Sequence, residues 1–173
     1  MTERRVKQSG FSVIEVTIAV AIMMLLVAIV VPRMFSAKVR ANEASAEASI
    51  HVINVAEALY NNTYPQAGYA NSLAVLGSHG GNCETVNSSN ACLVDSTLST
   101  GIKAGYLFEI LGDGNTPDVA YSVTASPEAA GGTGSCAFSS NQTGVIQITT
   151  APVGAAGSRS SGLSGDVCGS ASR

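Results

Sequence analysis

The chain has no tryptophan, and its aromatic content is five tyrosines and four phenylalanines in 173 residues. Only Phe11 and Phe35 precede Tyr60, too few for an aromatic electron path. Basic residues also run out early: beyond Arg40 there are only Lys103, Arg159 and Arg173. Phosphate binding needs clustered Lys and Arg, so a nucleic-acid surface is poorly supported. Enzyme signatures are missing too, with no Gly-x-Ser-x-Gly, no His-Glu-x-x-His and no phosphate-binding glycine loop. Ser160, Ser161 and Asp166 have no nearby histidine, while Gly112-Asp113-Gly114 and Gly131-Gly132-Thr133-Gly134 read as turns. His51 and His79 stand at no metal-ligand spacing from a cysteine and read as surface residues. The last absence is local: from Val16 to Val31 there is no charged residue at all.

That uncharged run is headed by a distinctive string. Arg4, Arg5 and Lys7 lead to Gly10-Phe11-Ser12-Val13-Ile14-Glu15, and the apolar stretch follows at once. With its flank back to Phe11 it approaches the roughly 20 residues that span a bilayer as a helix. A secretory signal would place its small-residue cleavage site after the apolar core, not before it. A plain membrane anchor explains the run but not Glu15, which costs a few kcal/mol in lipid unless paired.

The string resembles the processing site of type IV prepilins and type II secretion pseudopilins, and the likeness extends through Pro32 over roughly the first 60 residues. The resemblance implies that residues 1–10 are a leader, cut after Gly10 by a prepilin peptidase, and that the new amine of Phe11 is methylated. Removing the leader changes the net charge from −3 to −5. In an assembling filament the resemblance sets Glu15 against the Phe11 amine of a neighbouring subunit, fixing the axial register. A plainer role is also open to Glu15, since an anion suits the positive end of a helix macrodipole. Three basic residues precede the span (Arg4, Arg5, Lys7) and three follow it (Arg33, Lys38, Arg40), so charge alone does not orient it. The likeness and the cysteines place the N-terminus in the cytoplasm.

Residues 11–32 are expected to form the transmembrane or filament-core helix, and 33–62 its amphipathic continuation. Pro32 lacks the amide for one helical bond and clashes with the preceding turn, which predicts a kink or break. In type IV pilins such a proline accompanies local melting of the helix in the filament. Val39, Ala46, Ile50, Ile53 and Ala56 recur at helical spacing, and Val52, Val55 and Leu59 widen the stripe. Arg40, Glu43 and Glu47 read as a solvated or subunit-facing side. About 50 helical residues would extend roughly 75 Å, the length of a stalk.

Residues 63–173 read as a globular head of class α+β, a small antiparallel sheet packed on the long helix. A short helical turn is expected within Asn71–Gly77, followed by a polar loop from Ser78 to Asn90. Strands are expected at Ala104–Leu111, Val119–Ala125, Cys136–Ser139 and Val145–Thr149, the first two joined as a hairpin through 113–118. Beyond Val153 the chain is rich in Gly, Ser and Ala and would need a tether at Cys168.

Cys83, Cys92, Cys136 and Cys168 all follow the span, as expected for two disulfides in an exported domain. Three connectivities are open. The favoured one joins Cys83 to Cys92 around a polar loop and Cys136 to Cys168 at the tail, the latter resembling the disulfide-bounded C-terminal region of many pilins. Asp113, Asn115 and Asp118 are a candidate calcium loop by likeness to pseudopilins, but the same residues fit ordinary turn chemistry and lack the ordered ligands of an EF-hand. No cofactor is implied.

The resemblance therefore implies a non-enzymatic structural subunit, a major pilin. Its expected partners are copies of itself in a helical homopolymer, the inner membrane, the prepilin peptidase and the pilus assembly machinery. It would pass from the inner membrane into an extracellular filament (fimbrium) serving adhesion, motility or DNA uptake. A pseudopilin or minor pilin is the neighbouring alternative, and a membrane-anchored periplasmic binding domain that never polymerises is the distant one.

Overall fold

The computed structural model describes residues 12–78, 83 and 85–151. The chain divides into two compact units, Met1–Ala37 and Lys38–Arg173. A single helix, α1 (Val13–Thr63, 51 residues), contributes to both. The chain stays helical across Pro32, so the expected interruption does not open the helix. Proline forfeits one bond, to the Ala28 carbonyl, and the neighbouring turns continue.

Within the second unit, α1 is rich in alanine, the strongest helix former. It ends as the Tyr64 amide donates to the Tyr60 carbonyl at 2.8 Å, with Pro65 next in line to oppose continuation. Ala46, Ser49, Ile50, Ile53, Ala56, Glu57 and Tyr60 are buried and recur at helical spacing. Val52, Val55 and Leu59 do not widen this face as expected; they are about half to two-thirds exposed and lie on the other side of the helix. Glu43 is also reassigned, because its Oε1 accepts the Ser135 amide at 2.8 Å and so ties the helix to the head. Asn42 adds a second tie, donating to the Thr133 carbonyl at 2.9 Å.

The sheet is an antiparallel meander in chain order: β1 (Ile102–Lys103), β2 (Tyr106–Gly112), β3 (Tyr121–Pro127), β4 (Cys136–Asn141) and β5 (Gln147–Thr150). Two four-residue helices, α2 (Leu73–Leu76) and α3 (Ser96–Ser99), lie in the connection from α1. Side chains of β2 and β3 alternate strictly, with Tyr106, Phe108, Ile110, Tyr121, Val123 and Ala125 inward. Register places the small Ala125 between Phe108 and Phe138, which fills the layer without overpacking. These residues form one core with the buried face of α1, Leu73, Leu76 and Leu98.

The expected start of the first long strand at Ala104 is corrected. Ala104 (φ 52°) and Gly105 (φ 73°) are left-handed and make a two-residue turn between β1 and β2, the turn whose twist matches the flanking strands. α3 and β1 were not anticipated, being too short to show a period. Asp95 starts α3 by accepting the Leu98 amide at 2.7 Å, and its other oxygen takes Lys103 Nζ at 2.8 Å. That second contact holds the Asp95 carboxyl below the usual range.

Two comparisons test this packing in the full chain held in detergent, by denaturant unfolding. Ile53→Ala is expected to cost about 2–5 kcal/mol and Val55→Ala at most about 0.5 kcal/mol; equal effects would contradict the assigned faces. Gly68 (φ 81°) and Gly114 (φ 78°) are both left-handed, but a Cβ on Gly68 would run into the backbone of Asp118 while one on Gly114 meets nothing. Gly114→Ala should therefore cost about 1–2 kcal/mol, and Gly68→Ala clearly more.

Candidate functional site

The N-terminal unit carries its chemistry at the helix start. The Ser12 carbonyl accepts the amides of Glu15 and Val16 at 3.1 and 3.3 Å, closing the first turn of α1. Glu15 lies in that turn, where the macrodipole favours an anion. Next in the run, the Thr17 hydroxyl reaches the Val13 and Ile14 carbonyls at 3.1 and 2.9 Å, so its polarity is met within the helix. From Val13 to Val31 the large apolar side chains are all exposed, between 42% and 82%. The helix is long and apolar enough to cross a membrane by length and composition. Gly10 and Phe11 lie outside the described residues, so the partner expected for Glu15 does too.

In the head, the expected Cys83–Cys92 disulfide is present, with a Cα–Cα distance of 5.9 Å. Cys136 is disulfide-bonded as well, while Cys168, its expected partner, lies outside the described residues. His51 is exposed on α1, and His79 is outside the described residues.

Asp113, Asn115 and Asp118 do come together, with their oxygens occupied by the turn itself. Asp113 takes the Asn115 amide and side chain at 3.1 and 2.7 Å, and Asp118 Oδ1 takes the Gly114 amide at 3.0 Å. A hydrogen bond between the two carboxyls raises the Asp118 pKa, while the donors of Asn115 lower that of Asp113. Among the described residues no group of three or more His, Cys, Asp or Glu side chains could hold a metal ion.

Sequence reasoning missed the polar groups at the heart of the head. Asn54 bridges helix and sheet, donating to Ser140 Oγ and accepting from the Tyr121 hydroxyl, both at 2.9 Å. Tyr106 donates its hydroxyl to the Cys136 carbonyl at 2.8 Å, and burial pushes this phenol's pKa up, with Glu43 adding to the shift. Tyr121 is pushed up to about 12, chiefly by burial and then by Glu57. Glu57 itself is fully buried, and its carboxyl is pushed up to about 7. The signal was available: Glu57 follows Ile53 by four residues and precedes Tyr60 by three, so it sits in phase with the core.

Residues 5–31 match the family model of the prokaryotic N-terminal methylation motif. The chain thus carries the signature of type IV pilins and pseudopilins. Its long N-terminal helix with a five-stranded antiparallel sheet is the α+β arrangement of type IV pilins. No curated protein and no solved structure matches the chain. The motif and the apolar helix fit a membrane-anchored precursor.

Proposed function

We propose that the chain is the major structural subunit of a type IV pilus, cut after Gly10, methylated on Phe11 and polymerised through its N-terminal helix. The observation that carries this reading is the methylation motif running directly into a helix whose apolar side chains are exposed on every face. A helix apolar all round needs lipid or other helices about it, and the precursor and the filament provide these in turn. Lipid gives helices little hydrophobic reason to associate, so packing and polar pairing must guide assembly. Glu15 serves that purpose, its carboxylate meeting the methylated, still cationic amine of the next subunit. Pro32 supports local unwinding of α1 once neighbouring subunits surround it. The head faces outward with its Cys83–Cys92 loop.

Material sheared from the cell surface is expected to give an intact mass and N-terminal peptide starting at methylated Phe11, four hydrogens lighter for two disulfides. A chain starting at Met1 and found only in membranes would overturn the proposal. Glu15→Ala should leave cleavage intact but abolish sheared filaments, since losing one partner of a buried ion pair costs about 3–5 kcal/mol. Wild-type filament yield from Glu15→Ala would remove the pairing role.

A further inference from the structure

Glu57 is fully buried in the apolar core of the head. Its Oε2 accepts the Ala70 amide at 2.8 Å, and its Oε1 has no hydrogen-bond partner. An ionised carboxylate offers about four acceptor sites, so a single donor leaves a buried charge poorly compensated. The surrounding groups do not repair this. On its own helix, Tyr60 donates its hydroxyl to the Ser88 carbonyl at 2.6 Å. From β3, Tyr121 donates to Asn54 at 2.9 Å, and its ring packs at a tilt against Tyr69. The β2–β3 connection contributes Asp118, a second carboxyl whose charge repels that of an ionised Glu57. Tyr64, on the chain leaving α1, packs against the Tyr60 ring. Among the described residues no ion pair reaches Glu57.

The Ala70 contact joins α1 to two connections at once. Ala67 and Tyr69 pair with the backbone of Asp118, the Asp118 amide donating to the Ala67 carbonyl and the Tyr69 amide to the Asp118 carbonyl, both at 3.0 Å. Segment 67–70 is thereby bound to helix α1 on one side and to the 113–118 turn on the other.

We propose that Glu57 is a proton-operated latch: uncharged, it holds segment 67–70 and the 113–118 turn against α1, and on losing its proton it lets them open. The neutral acid keeps the Ala70 bond with no buried charge, whereas the anion faces Asp118 and gains solvation only if the segment lifts. Burial is the main cause of the carboxyl's rise from 4.5 to about 7; the Asp118 charge adds to it and the Ala70 amide opposes it. The closed state thus binds a proton that the opened state releases. Its extra stability is complete below pH 4.5 and is lost as pH rises through about 7. Ordinary acid denaturation runs in the opposite direction. This latch is independent of how, or whether, the chain polymerises.

The full chain in detergent micelles, labelled with 13Cδ-glutamate, tests the proposal in a Glu15→Gln background that removes the carboxyl set in the apolar helix. One glutamate is expected to titrate with a midpoint near 7 and to vanish from the spectrum of Glu57→Gln. Protection of the Ala70 amide from hydrogen exchange, corrected for intrinsic rate, should fall about tenfold between pH 6 and pH 8. In Glu57→Gln that protection should not change with pH. All glutamates titrating near their ordinary value, or unchanged Ala70 protection in the parent, would overturn the latch. If Glu57→Gln does not fold, the parent titration and exchange decide the matter alone.

Discussion

A helix with one apolar face can be covered by a sheet; a helix that is apolar all round cannot. α1 has both characters in succession, and everything else in the molecule follows from where one gives way to the other. Its later turns lay Ala46, Ile50, Ile53 and Ala56 against the inward side chains of β2, β3 and β4. Its earlier turns expose Ile18, Ile22, Leu25, Leu26 and Ile29, and none of the described residues covers them. Those side chains need surroundings other than water, and that need is the physical content of the pilin signature.

The head solves the opposite problem, joining a helix to a sheet through a core that is not wholly apolar. Asn54, Ser140 and Tyr121 satisfy one another across the interface. Glu43 and Asn42 anchor the same helix to backbone groups of the β3–β4 connection. Such contacts are directional, so they fix the rotation of α1 on the sheet where oily packing alone tolerates several settings.

Much of this was legible in the sequence, for identifiable reasons. The Gly10–Glu15 string and the uncharged run are local signals that need no tertiary context. Strict alternation in Tyr106–Leu111 and Tyr121–Ala125 marked two strands, because one face of each meets the core. The two-faced reading of α1 fared worse. Val52, Val55 and Leu59 are apolar yet outward, while the polar Glu57 and Ser49 are inward. Hydropathy put Val52, Val55 and Leu59 on the core face, whereas the buried positions follow the helical phase set by Ala46, Ile50, Ile53 and Ala56. Turn geometry defeated the start of the first long strand, since a left-handed Ala104 carries no residue-type signal. Glu43 could not be placed from sequence, because its partner Ser135 lies 92 residues away.

The strand order repeats the order of synthesis, each strand lying beside the one made just before it. No strand waits for a later one to be inserted between itself and its neighbour. Contacts of this kind close short loops and form quickly. The head can therefore zip up vectorially, hairpin upon hairpin, onto a helix that left the ribosome first. Each described strand can dock as soon as the one before it is in place.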